Sequence, residues 1–281
     1  PPPDDASVTP PEPPTKPSCK FKLPSIARAA NLPSESKIVG GTDALPGEFP
    51  FATSLQTLAG SHFCGGSVFR DNWILTAAHC VEVYGQFLAV VGRHDLRTVE
   101  GNEYRVKAAD VRVHPLYGTN PDAPLDYDVA LVKLPEKASV DGVPLHVGNL
   151  GDDWAWAIGW GRKSSGGPLT DTLKKVRMPI VAQDTCKGFY QEELTNRMIC
   201  SDRWGEGSCQ GDSGGALLFA SGMSTEPDGT VLYFGWQLAG TVSWGIDCAA
   251  GFPGVYTRLT SPKLGPQVVL AEWVDVCAEA A

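Results

Sequence analysis

From Ile38 onward, short apolar runs alternate with clusters of Gly, Pro, Asn and Asp, the pattern of many short strands joined by tight turns. A first half carries such runs at 51–58, 66–75, 87–91, 104–113 and 129–134, and a second half at 154–158, 172–181, 197–201, 215–220, 232–243 and 254–259. Few of them show a helical period. The exception is the C-terminus, where Val269, Trp273, Val276 and Cys277 fall on one helical face, predicting a docked amphipathic helix over about 266–279. No internal repeat is evident, although two halves of similar strand content predict two barrels or sandwiches.

Residues 1–37 differ. Eight prolines (Pro1, Pro2, Pro3, Pro10, Pro11, Pro13, Pro14 and Pro17) lie in the first 17 residues. They remove backbone donors and favour extended coil, so this segment reads as a linker or tail. A proline-motif ligand for another domain is the alternative. Cys19 ends the tract, and a weakly apolar stretch continues to Lys37.

At 281 residues and 42% hydrophobic content, the chain can bury a full core as one large or two smaller β domains. Its net charge of -9 argues against nucleic acid or an anionic membrane as main partner. No apolar run approaches the ~20 residues of a membrane-spanning helix. The sequence starts at Pro1, so any secretory signal is expected to have been removed. Eight cysteines without a Cys-x-x-Cys pair or a His-x-x-x-His fit a disulfide framework in an oxidising compartment better than zinc.

Ser213 stands in the run Ser208-Cys209-Gln210-Gly211-Asp212-Ser213-Gly214-Gly215, among glycines that only a tightly turned backbone needs. A serine hydroxyl is a poor nucleophile at neutral pH and requires a base and a group to orient that base. His79, in Thr76-Ala77-Ala78-His79-Cys80, follows an apolar run, and Asp128 opens an apolar strand where it would be partly buried. Each signal is weak alone.

Together they resemble the chymotrypsin-like serine endopeptidases. The resemblance covers Ile38 to about Cys277 through Ile38-Val39-Gly40-Gly41, Leu75-Thr76-Ala77-Ala78-His79-Cys80, Asp128-Val129-Ala130-Leu131, Gly159-Trp160-Gly161, Gly211-Asp212-Ser213-Gly214-Gly215, Ser243-Trp244-Gly245 and Pro253-Gly254-Val255-Tyr256, in the family's order. It implies an all-β fold of two six-stranded antiparallel barrels, about 38–145 and 146–260, followed by the C-terminal helix, with residues 1–37 as propeptide. His79 and Asp128 would come from the first barrel and Ser213 from the second. Ser213 would be nucleophile, His79 general base and Asp128 its orienting acid. Backbone N–H groups of Gly211 and Ser213 would form the oxyanion hole, and Ser243, Trp244 and Gly245 would pair with an extended substrate.

The resemblance also implies a zymogen cleaved at Lys37–Ile38, the new ammonium of Ile38 pairing with Asp212. It implies disulfides Cys64–Cys80, Cys186–Cys200 and Cys209–Cys248. Cys19 and Cys277 remain and pair by elimination, tethering the propeptide, with two free thiols as the alternative. Gly207 falls at the pocket floor where trypsin-like members carry Asp, and Ser208, Gly245 and Gly254 complete a pocket expected to be deep and apolar, for Phe, Tyr, Trp, Leu or Met. Glu206 and Asp247 flank it, each open to reading as a solvated carboxylate or as an attraction for a basic group.

An apolar pocket would not cut after Lys37, so a trypsin-like activating protease is an expected partner, besides protein or peptide substrates and protein protease inhibitors. In the 92–103 loop, which resembles the family's calcium loop, Arg93 stands where a carboxylate would be needed. An Arg93–Glu103 pair could replace the ion, so no metal or cofactor is expected. His62, His94, His114 and His146 match no constellation and read as structural or solvent-facing. A secreted monomer is expected. A catalytically inactive homologue serving as a binding or regulatory module, or an active protease of broad, collagenolytic or trypsin-like specificity, are the alternatives.

Overall fold

A computed structural model describes residues 41–82, 86–98, 102–107, 111–146, 148, 153–162, 166–202, 207–246, 248, 251–259, 274 and 277, with only the Tyr104 side chain described in 102–107. Among the described residues, fourteen strands make two antiparallel sheets. In the first, β6 (Asn102–Lys107), β5 (Gln86–Val91), β2 (Ala52–Gln56), β3 (His62–Phe69), β4 (Trp73–Thr76), β8 (Ala130–Lys133) and β7 (Val111–Val113) lie in that order.

In the second the order is β1 (Thr42–Asp43), β10 (Lys174–Val181), β11 (Met198–Ser201), β14 (Gly254–Arg258), β13 (Val231–Trp244), β12 (Ala216–Thr225) and β9 (Trp154–Gly159). There β9 pairs back onto β10 from Lys174 opposite Gly159 to Pro179 opposite Trp154, so six strands close into a ring and their edges disappear. The mostly-β architecture of two antiparallel sheets matches the expectation; among the described residues each sheet has seven strands instead of six, and only the second closes, the first remaining an open half-barrel. The seventh of the second sheet is β1, two residues laid on β10.

The apolar run 66–75 is two strands. Arg70 adopts φ 53° and Trp73 N–H bonds its carbonyl at 3.2 Å, turning β3 into β4. The run 104–113 likewise divides into β6 and β7. Two short helices, α1 (Ala78–Val81) and α2 (Gln183–Tyr190), interrupt the strand pattern. At the C-terminus Val274 and Cys277 are helical and buried, while Val269, Trp273 and Val276 lie outside the described residues.

Several strands are covered on both faces, which explains runs without alternation. All five residues of β2 are buried, and its polar groups are satisfied locally: Ser54 Oγ lies 2.8 Å from His62 Nδ1, and Gln56 donates to Ser54 at 3.0 Å. One apolar cluster draws on all six ring strands, including Ala157, Met178, Ile199, Leu217, Val242 and Tyr256. A larger one runs through the first sheet and on to Trp160, Leu238 and Trp244.

The sheets meet where β3 abuts the turn before β12. Gly65 N–H donates to the Ser213 carbonyl at 2.7 Å, and a Cβ on Gly65 would lie 2.8 Å from the Gly215 Cα. Two backbones approach closely enough that neither position has room for a side chain. Replacing Gly65 with Val is therefore expected to cost about 2 kcal/mol or more through overpacking, read as a lowered midpoint in urea unfolding, while Gly60→Ala, where a Cβ meets nothing within 4 Å but φ is +84°, should cost less.

Candidate active site

His79 sits inside α1, directly after β4. Two ties fix that turn to β3: the Thr76 hydroxyl donates to the Gly65 carbonyl at 2.8 Å, and a disulfide joins Cys80 to Cys64. Closing a loop of this length stabilises by roughly 3 kcal/mol on the chain-entropy account. A second disulfide joins Cys186 on α2 to Cys200 on β11.

Asp128 precedes β8, held from both sides. Two residues earlier, buried Asp126 accepts Arg197 Nε at 2.8 Å, a second guanidinium bond from Arg197 Nη2 and the Thr195 hydroxyl at 2.9 Å. Tyr127 between them adopts φ 59° and lies sandwiched, with the Arg197 guanidinium 4.5 Å from its ring centroid and the His114 ring stacked at 4.7 Å. From the second sheet, the Thr257 hydroxyl donates to the Asp128 carbonyl at 2.7 Å.

The Asp128 carboxylate is fully buried and accepts three bonds: His79 Nδ1–H at 2.8 Å, the His79 backbone N–H at 3.0 Å, and the Ser243 hydroxyl. Burial alone would raise its pKa, but the His79 charge and these bonds lower it. Burial likewise opposes protonation of His79, yet the Asp128 charge and hydrogen bond, with Glu82 adding, raise its pKa above the ordinary value. Because Nδ1 carries the proton given to Asp128, Nε2 is left to accept one. That nitrogen faces the Cys80 sulfur at 3.8 Å. Ser243, expected only along the substrate strand, thus also holds the acid.

Ser213 is half-buried in the turn between Cys209 and Ala216. Gly211 (φ +93°) and Gly214 (φ +75°) are left-handed, and a Cβ on Gly214 would lie 2.2 Å from Thr76 Oγ1. The backbone N–H groups of Gly211 and Ser213 donate to no other described residue. Asp212 is fully buried and accepts Gly161 N–H and Cys209 N–H, each at 2.8 Å. Cβ atoms on Gly159 or Gly161 would fall within 2.3 Å of its carboxylate, so the Gly159-Trp160-Gly161 segment is a cradle shaped around that group.

The four histidines without an expected role are not equivalent. His62 is buried and bridges Ser54 to the Gly211 carbonyl, the latter at 2.8 Å. Burial brings its pKa down to about 4 against the raising effect of the Gly211 bond. His114 is buried against Tyr127, and burial brings it also to about 4. His94 accepts Trp160 Nε1–H through its carbonyl at 3.2 Å. His146 bonds Gln237 at 2.8 Å. No motif flagged His62, because its partner Gly211 is 149 residues away.

Ser208 is buried and bonds the Tyr256 hydroxyl at 3.1 Å, while a Cβ on Gly254 would meet Ser208 Oγ at 3.4 Å. Ser208, Gly254 and Tyr256 therefore stand together, and Gly207 is the next residue in the chain. Gly245 is buried at the end of β13. Beyond it opens a cavity of about 370 Å³ lined by Ile246, Phe189 and Tyr190 with the acids Asp122, Glu192 and Glu193, a grouping from three distant segments that no local pattern announced.

One expected bridge is absent. Cys209 is a buried thiol, and no disulfide joins it to Cys248. Lys37, Ile38, Cys19, Glu206, Asp247 and the Glu103 side chain lie outside the described residues. Arg93 is buried. Among the described residues the metal-ligand grouping Cys64, His79 and Cys80 offers no site, since the disulfide uses both thiols.

A buried Asp–His pair between two antiparallel sheets, with a serine in the glycine-bounded turn where those sheets meet, fits the class of the serine hydrolases. Comparison places the chain more closely: the trypsin family model matches residues 38–263. Trypsin from Sus scrofa is 34% identical over 80% of this chain and 92% of its own length, and trypsin-1 from Astacus astacus is 36% identical over 79% and 95%. Cationic trypsin-3 from Rattus norvegicus is 34% identical over 84% and 92%. The chain belongs to the trypsin family of serine peptidases, whose substrates are proteins and peptides.

Removing the Asp126 partner by Arg197→Gln is expected to destabilise by about 2–3 kcal/mol, somewhat below the roughly 3–5 kcal/mol of a fully buried broken pair, because Arg197 is partly exposed. Chemical unfolding reads that loss. The same variant should lower kcat/KM roughly tenfold, since Asp128 loses its fixed position.

Proposed function

We propose that this chain is the zymogen of a secreted serine endopeptidase in which Ser213, His79 and Asp128 form the catalytic triad. The observation that carries the reading is the buried 2.8 Å bond from His79 Nδ1 to Asp128, in a family member whose Ser213 sits in a turn joined to β3. Ser213 Oγ attacks the peptide carbonyl while His79 Nε2 takes its proton. That proton passes to the leaving amine, and water then repeats the sequence on the acyl-enzyme. Gly211 and Ser213 N–H groups receive the oxyanion, and loss of such a donor typically costs ~10²- to 10³-fold in rate.

Activation follows from cleavage at Lys37–Ile38, the new ammonium pairing with buried Asp212. In support, Asp212 lies against the Gly159–Gly161 cradle and its backbone bonds reach the same turn that carries the oxyanion donors. Tethering of residues 1–37 through Cys19–Cys277 is supported by the bonded state of Cys277 and by the absence of its partner among the other described cysteines. Gly207 at the pocket floor favours large apolar residues before the scissile bond, so a trypsin-like protease supplies the activating cut. Names of the relatives favour the second reading, cleavage after Lys or Arg.

After activation by trypsin and its removal, peptides differing only before the scissile bond should be cut after Phe, Tyr, Leu or Met; preference for Lys or Arg would establish the second reading. A serine-directed phosphonate should label wild type and not Ser213→Ala, and failure to label wild type would mark an inactive homologue. His79 works as a neutral base, so its raised pKa places the acid limb of the rate profile above 6.5. Asp128→Asn should move that limb down and lower kcat by about 10⁴-fold.

A further inference from the structure

Away from the active site, the outer wall of the ring barrel carries a cavity of about 450 Å³. The hairpin of β12 and β13 extends past the body to a Glu226–Thr230 turn, and the cavity opens at its root. Trp154, Trp156, Phe219 and Tyr233 line it, with Arg177 and His146 among them. The Arg177 guanidinium stacks between Trp154 and Tyr233, 5.0 and 5.3 Å from the ring centroids, and donates to the Tyr233 hydroxyl at 3.1 Å. Met223 and Phe234 on the hairpin and Trp154 are 68%, 53% and 44% exposed.

Two features ask for an occupant. Arg177 pairs with no carboxylate among the described residues, although Asp153 lines the same cavity. Its Nε and the His146 Nε2 are buried without a hydrogen-bond partner among the described residues, and such groups are costly to leave unmet. A cation held between aromatic rings fits a ligand carrying carboxylates beside flat apolar surface.

The chain carries such a segment. Residues 1–17 hold eight prolines with Asp4, Asp5 and Glu12 against one cation, Lys16. Proline-rich segments dock on aromatic-lined grooves because their extended helix is preformed and little order is lost on binding. Reach is not limiting: residues 18–41 span about 75 Å at ~3.1 Å per residue, whereas a compact domain of this size is about 45 Å across. A Cys19 tether would still leave about 55 Å to the residues before it.

We propose that the Trp154–Arg177–Tyr233 cavity is the docking site of the chain's own acidic, proline-rich N-terminal segment. Prolines lie on Trp154 and Tyr233, and a carboxylate of Asp4, Asp5 or Glu12 pairs with Arg177. The idea stands apart from catalysis and activation, and its test needs neither.

The full, uncleaved chain carrying Ser213→Ala is labelled with 5-fluorotryptophan, and the Trp154 resonance is assigned with Trp154→Phe. Neutralising the segment (Asp4→Asn, Asp5→Asn, Glu12→Gln) or replacing Pro10, Pro11, Pro13 and Pro14 with Ala should shift that resonance and remove its protection from solvent. Arg177→Gln should do the same, and excess synthetic peptide of residues 1–17 should restore the signal of the neutralised chain. The segment variants leave the barrel sequence intact, so a misfolded body cannot mimic the result. An unchanged Trp154 resonance in both segment variants would overturn the proposal, as would a shift that follows protein concentration, which assigns the cavity to a second copy.

Discussion

Burying the Asp128 charge between two sheets is the constraint around which this molecule is arranged. A carboxylate taken out of water without compensation costs several kcal/mol, and here three donors meet it: two from His79 in α1, next to the first sheet, and the Ser243 hydroxyl from the second. The sheets cannot separate without exposing or orphaning that group. Asp126 and Arg197 repeat the device one turn away. The same charges that bind the halves together orient an imidazole and raise its basicity, so stability and chemistry draw on one set of contacts.

Opposite this charged seam the constraint is steric. Gly65, Gly214 and Gly215 let β3, α1 and the serine turn approach at backbone distance, and Gly159 and Gly161 leave space for the Asp212 carboxylate. Asp212 then bonds Cys209 and Gly161 N–H groups while its neighbour Gly211 is held through its carbonyl by His62. The turn carrying Ser213 is thus pinned from three directions, while the Gly211 and Ser213 N–H groups donate to no other described residue.

Legibility in the sequence was uneven, for physical reasons. His79, Asp128 and Ser213 stood in local motifs because each needs particular immediate neighbours: a small-residue turn, the start of a buried strand, a left-handed glycine. The Cys64–Cys80 and Cys186–Cys200 bonds followed from family resemblance and appear in the structure, whereas Cys209–Cys248 does not. Ser243 as a support of Asp128, His62 as a brace of Gly211, and Arg197 as the anchor of Asp126 were invisible because their partners lie 115, 149 and 71 residues away. The apolar run 66–75 concealed a turn for another reason: Arg70 adopts a left-handed conformation that no glycine advertises.

By itself, then, the sequence determined the class of fold, the order of the chemical motifs and the identity of the candidate nucleophile, base and acid, since turn chemistry and strand burial act over a few residues. Tertiary structure alone decided how the second barrel closes, which donors hold the buried carboxylates, and that Arg177 is gathered among Trp154, Trp156 and Tyr233 from separate strands. Those depend on strand order and register, through which residues far apart in the chain become neighbours.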